Sequence, residues 1–166
     1  MKISLLFFSL VFATNIFAQS NTIFAPGKYA LDSADAKLNA NWLATSCADT
    51  NVAEYYSVHQ KYIFSGQALL QKFNALYTKP IAALQSGFVT VRFVVNCKGE
   101  TGYFNVYETN LQKQAYLMNA AIKKQIVQFV KSLENFPIAS FQNKAVNYYY
   151  YFNFKIMDNE IKTISP

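Results

Sequence analysis

Residues 87–108 read GFVTVRFVVNCKGETGYFNVYE, two alternating runs of apolar and polar side chains on either side of Lys98-Gly99. In the first run Val89, Val91, Phe93 and Val95 fall on one face; Thr90, Arg92 and Asn96 fall on the other, with Phe88 and Val94 among them. A period of two is that of a strand. The second run repeats it, with Phe104 and Val106 against Tyr103, Asn105 and Tyr107. Gly99 accepts the positive φ that a short hairpin loop requires, so the runs are predicted to be antiparallel neighbours. A two-stranded hairpin is marginal alone in water, so its apolar face needs a cover.

The flanking sequence supplies one. Across residues 115–134, Ile122, Ile126, Val130 and Leu133 recur on one side of a helix with Phe129 and Leu117 beside them, while Lys123, Lys124, Gln128 and Lys131 cover the other. Phe136-Pro137 ends that helix. Residues 146–156 alternate again: Val146, Tyr148, Tyr150, Phe152, Phe154 and Ile156 share one face, and Asn147, Tyr149, Tyr151, Asn153 and Lys155 the other. Asp158-Asn159 is a tight-turn pair, followed by a short closing strand over 160–164. Upstream, Ser65-Gly66 opens a helix over 67–79 carrying Leu69, Leu70, Phe73, Leu76 and Tyr77, which Pro80 ends or bends. Residues 33–43 suit a short helix capped by Ser33, and residues 55–64 a strand or an extended cover. The predicted fold is α+β: a small antiparallel sheet in the order strand, strand, helix, strand, short strand, with a helix on one face and an N-terminal helical cover.

Composition bounds the class. Of 166 residues, 52% are hydrophobic and 14% charged, which excludes a disordered chain. Twelve Tyr and fifteen Phe exceed the needs of one small core, so several rings are expected on a sheet face or edge. Residues 1–18 have the form of an export signal: Lys2, an apolar run, and Ile16-Phe17-Ala18, with cleavage expected after Ala18. The alternative is an uncleaved anchor, but Thr14-Asn15 interrupts the run short of the roughly 20 apolar residues that span a bilayer. Residues 19–64 then form a lead-in and cover, and residues 65–166 the α+β domain. The chain carries 15 basic and 9 acidic residues; loss of Lys2 leaves 14 minus 9, or +5. Without a dense basic stripe, this charge speaks for attraction to anionic surfaces rather than for nucleic acid. Cys47 and Cys97 suit one disulfide in an oxidising compartment, worth about 4 kcal/mol in the chain-entropy model; two free thiols are the alternative.

Little points to catalysis. His59 is the single histidine, with no acid or nucleophile placed beside it by the pattern. Two cysteines and one histidine at these separations lack the close spacing of a zinc site, and no phosphate-cradling glycine loop or nucleophile elbow occurs. Glu100 and Glu108 read as solvated strand-end carboxylates, and Arg92 as a residue of the wet face or rim. A non-enzymatic protein without cofactor or metal is expected.

The run from Gly87 to Ile156 resembles the C-terminal domain of the TonB family of periplasmic energy transducers. The likeness lies in G-x-V-x-V-x-F-x-V-N at 87–96, the turn at Gly99, the amphipathic helix ending at Phe136-Pro137, and the closing Phe152-Asn153-Phe154-Lys155-Ile156. It covers about 70 of the 166 residues. The resemblance implies binding of an extended segment of an outer-membrane protein by strand addition to the strand at 146–156, with Tyr149, Tyr151 and Asn153 as side-chain contacts. It fits general physics, because an unpaired strand edge presents a row of N–H and C=O groups. The sequence departs from a complete transducer in three respects: the anchor is expected to be cleaved, no Pro-rich spacer follows it, and residues 67–79 read as helix. The leading expectation is therefore a free exported binding domain in the periplasm or at the envelope; a membrane-anchored transducer for outer-membrane transport is the alternative.

Overall fold

The structure, a computed structural model, describes residues 52–58 and 62–166. Its elements are β1 (Val52–Glu54), α1 (Tyr55–Val58), α2 (Gly66–Asn74), β2 (Gly87–Val95), β3 (Thr101–Thr109), α3 (Ala120–Lys131), β4 (Ala139–Phe141), β5 (Lys144–Met157) and β6 (Glu160–Ser165). The fold is α+β.

The central hairpin forms as its alternation dictates. β2 pairs antiparallel with β3, Phe88 opposite Thr109 through Arg92 opposite Asn105, then shifts register before Val94 meets Gly102. Tyr103 takes the extra residue of that bulge at φ 54°. The connecting loop is longer than a two-residue turn and is tied by one buried side chain: Asn96 Oδ1 accepts from the backbone N–H groups of Lys98 and Glu100, each at 2.9 Å. Gly99 sits at φ 81°.

β5 is the hub. It pairs antiparallel with β2 along Tyr148–Ile156, with β4 at residues 144–146 and with β6 at residues 153–157. β1 pairs with it in parallel, Val52 opposite Asn147 through Glu54 opposite Tyr149. The sheet is therefore mixed, which corrects the expected antiparallel one, and it recruits residues upstream of the expected boundary at 65. Two three-residue strands, β1 and β4, carry no period that a sequence reading could register. At the β5–β6 turn, Asp158 and Asn159 both adopt positive φ, 53° and 61°, the conformation that makes Asp and Asn frequent in hairpin turns.

One face of the sheet is the core. Val89, Val91, Phe93 and Val95 lie with Tyr148, Tyr150, Phe152, Phe154 and Ile156 beneath Ile122, Ile126, Phe129 and Val130 of α3 and Leu69 and Phe73 of α2. Tyrosines enter this core by satisfying their hydroxyls at its rim. Tyr148 donates to the Pro137 carbonyl at 2.7 Å, and Tyr62 to that of Glu134 at 2.8 Å. Burial pushes the Tyr148 hydroxyl well above its usual range of ionisation.

α3 starts later than its apolar stripe suggested. Asn119 is the N-cap, accepting from Ala121 N–H at 2.8 Å. Residues 115 and 116 instead extend the edge of β3: Ala115 bridges Thr109, and Tyr116 N–H donates to Glu108 O at 3.2 Å. The predicted helix at 33–43, the signal at 1–18, His59 and Cys47 lie outside the described residues.

Candidate partner-binding surface

The expected contact residues stand on the face of the sheet opposite α3. Tyr149 is buried with Val52, Val94 and Tyr103 in a second, small apolar cluster. The Arg92 guanidinium roofs its ring, 3.7 Å from the centroid, and Nη2 of the same arginine pairs with Glu54 Oε1 at 2.7 Å. Asn153 is half-buried, its Oδ1 accepting from the Thr90 hydroxyl at 3.2 Å. Tyr151, also half-buried, opposes Arg92 in the β2–β5 register. Tyr149, Tyr151 and Asn153 thus share one face but play unlike parts: the first is roofed, the other two are partly wet.

Their strand is not an edge. β5 has β2 on one side along residues 148–156 and, on the other, β1 at residues 147–149 and β6 at residues 153–157. The short closing strand occupies the flank on which a partner would have docked. It is firmly held there, because Ile161 and Ile164 are each 4% exposed. Removing two such side chains from the core costs about 1.5–3 kcal/mol each.

Among the described residues β3 is one edge of the sheet, with β2 as its single strand neighbour; at the opposite edge β1 and β6 each have β5 as theirs. Glu108 O and Asn110 N–H bond to Tyr116 and Gln114 on the outer side of β3. Antiparallel pairing alternates inward and outward backbone groups, so those of Val106 also point outward, along an unbroken register from Arg92–Asn105 to Phe88–Thr109. The bulge at Tyr103 ends this stretch on one side and the Thr109–Ala115 bridge on the other, leaving Phe104-Asn105-Val106-Tyr107. These four residues include neither a charge nor a proline, the usual protections of an edge.

α3 supplies a wall alongside. Lys123 Nζ bonds Glu108 Oε1 at 2.8 Å, and Lys131 Nζ lies 5.2 Å from the centre of the Phe104 ring. Val127 stands between them on the same helix row. Glu108 is further fixed by Met118 N–H, which donates to its Oε2 at 2.7 Å. Glu108 is thus a structural tie between the edge strand and the approach to α3, where the sequence suggested a solvated end. No sequence signal distinguishes an edge strand from its neighbour when both alternate, which is why β3 was not singled out.

Cys97 is disulfide-bonded. Its N–H donates to Asn147 Oδ1 at 3.2 Å, and Asn147 opposes Val52 of β1. The chain thus enters the sheet beside Cys97, five residues after Cys47, a stretch whose extended reach is about 17 Å. Among the described residues no group of three His, Cys, Asp or Glu side chains converges as metal ligands would.

No protein-family model, curated protein or solved structure matches the chain.

Proposed function

We propose that the chain is an exported, non-enzymatic binding domain that captures an extended protein or peptide segment by strand addition in the periplasm or at the envelope, in the manner of the TonB C-terminal domain it resembles. The observation that carries this reading is the uncharged, proline-free edge at Phe104–Tyr107. Backbone pairing there supplies affinity, and side chains alternating above and below the sheet supply selectivity. On the outer face the added strand would run beside Asn105 and half-exposed Tyr107; on the core face it would run beside Phe104 and the Lys123–Val127–Lys131 row of α3. The docking strand in this proposal is β3, and Tyr151 and Asn153 lie on the neighbouring sheet surface rather than in the pairing strand. A bridge between Cys97 and Cys47, with export and cleavage after Ala18, belongs to the same reading. Intact mass with and without reductant tests both covalent parts.

The binding test is site-specific photocrosslinking in the exporting cell, with the probe at Asn105, Tyr107, Tyr151 or Asn153. Capture of one polypeptide through an extended segment is expected from 105 and 107, and its loss in Val106→Pro, because proline removes the outward N–H. Crosslinks confined to 151 and 153, or unchanged by Val106→Pro, would move docking away from β3. A chain that captures no polypeptide at any position would end the binding reading.

A further inference from the structure

Two lysines of α3 reach toward the β3 edge, and one of them already holds a carboxylate. Lys123 Nζ meets Glu108 Oε1 at 2.8 Å, near the end of the strand. About two turns further along the helix, Lys131 Nζ lies 5.2 Å from the centre of the Phe104 ring. Among the described residues the ion pairs join Lys79 and Lys162 to Glu160, Arg92 to Glu54 and Lys123 to Glu108, and none includes Lys131. A lysine in the last turn of a helix complements its dipole wherever the ammonium points. Here the ammonium points across to the edge strand, where the ring attracts it from within about 6 Å. Lys131 is exposed, and a carboxylate would bind it more strongly than the ring does.

The register of an added strand decides what it presents to that ammonium. Phe104 and Val106 lie on the α3 side of the sheet, and Val127 packs against the same core. Residues 114–116 already run antiparallel to β3 on its outer side, through the Thr109–Ala115 bridge. A strand that continues this lane in the same sense exchanges both hydrogen bonds with Val106, and its side chain at that position faces Val127. The next side chain turns to the other face, beside Asn105. The one after it stands opposite Phe104, with Cβ atoms about 5 Å apart, and an aspartate or glutamate there reaches Lys131. The far end of the edge does not suit a second acid, because Glu108 already occupies Lys123 and residues 114–116 fill its outer side.

We infer that the segment captured at the β3 edge is acidic: an extended stretch reading apolar, any residue, then Asp or Glu, antiparallel to β3. Its apolar side chain covers Val127, and its carboxylate supplies the ion pair that Lys123 has and Lys131 does not. The inference rests on the strand-addition reading and adds to it the chemistry of the partner.

The test keeps the full chain in the exporting cell, with the photocrosslinking probe at Tyr107, and compares the parent with Lys131→Glu, Lys131→Arg and Lys155→Glu. Lys155 is exposed and stands opposite Phe88 on the β5 side of β2, so its reversal changes net charge equally without touching the edge. The crosslink is expected to fall about tenfold or more in Lys131→Glu, because like charges across an interface repel. It should persist in Lys131→Arg and in Lys155→Glu. Mass spectrometry of the crosslinked segment should find the Asp or Glu, and its change to Lys should restore capture by Lys131→Glu, which a folding defect would not allow. Capture unchanged in Lys131→Glu, a captured segment without an acidic residue, or a loss that the partner's charge reversal does not restore overturns the acidic partner while strand addition stands. Equal loss in Lys155→Glu also overturns it, in favour of diffuse attraction. Absence of any crosslink in the parent ends the strand-addition reading and this inference with it.

Discussion

The two limits of this sheet are treated in opposite ways. Beyond β5 the chain lays down two short strands, β1 of three residues and β6 of six. Beyond β3 it places none among the described residues, and the edge is shortened by a bulge and a bridge. The difference shows what confers protection. β5 carries the run of aromatic residues whose exposure would be most costly, Tyr148 to Phe154; β2 lies along all of it on one side, and β1 and β6 pair with its two ends on the other. β3 presents Phe104 and Val106 half-buried and leaves a short backbone stretch open. A partner that adds a strand meets the least resistance where nothing must be displaced.

The first way to break this contrast is to unfasten the covered side. Ile164 of β6 is 4% exposed, in the same core as Leu69 of α2. Ile164→Ala should lower stability by about 3 kcal/mol, read as a reduced urea midpoint at constant slope. A loss below about 1 kcal/mol, the scale of surface changes, would mean that β6 is a loose flap and that the β5 flank is open to partners after all.

A second substitution sharpens the same point through its sign. Gly66 begins α2, where alanine would ordinarily stabilise a helix by about 1 kcal/mol. Here a Cβ would stand 2.1 Å from the Ile164 carbonyl oxygen, a backbone atom that cannot swing aside. Gly66→Ala is therefore expected to destabilise by about 1–3 kcal/mol, the range of overpacked sites. Stabilisation would show that α2 and β6 are not in close contact.

The open side predicts a smaller thermodynamic effect with a larger functional one. Val106→Pro removes an N–H that no neighbouring strand among the described residues uses, so unfolding should change by about 1 kcal/mol, while proline in a central strand breaks a ladder bond. Partner capture should disappear. A cooperative loss of the whole fold would reveal that the outer groups of β3 are already engaged.

How far the sequence spoke follows from the range of the forces involved. The β2–β3 hairpin is legible because its alternation, its glycine and the Asn96 that ties its loop all lie within 23 residues of one another. β5 and its turn are legible for the same reason, as is the buried stripe of α3. The start of α3 was misplaced because Ala115 and Tyr116 bond across to Glu108 and Thr109, a tertiary demand that outweighs local helical pattern. β1 lies about 95 residues from its partner strand and is too short to show a period. The candidate site suffered most. Tyr149, Tyr151 and Asn153 were correctly assigned to one face, yet which strand is an edge depends on where β1, β4 and β6 settle, and no local pattern encodes that.

The gentlest test concerns the start of β6, where Glu160 stands between two cations. Hydrogen bonds from Lys162 at 2.6 Å and Lys79 at 2.9 Å hold its carboxyl down to about 2, from an ordinary value of 4.5. A depressed carboxyl contributes stability that is complete above the unfolded value and is lost as pH falls through the folded one, so the window runs from about 4.5 to about 2. The group is exposed and such pairs are weak, so the global midpoint should barely respond. Local opening is the sensitive readout: amide exchange at Ile161 and Lys162, referred to the same amides in Glu160→Gln, should accelerate across that window in the parent alone. If the acid acceleration persists in Glu160→Gln, the covered flank is loosened by another carboxylate and the Lys79–Glu160–Lys162 contact contributes nothing to keeping β6 on β5.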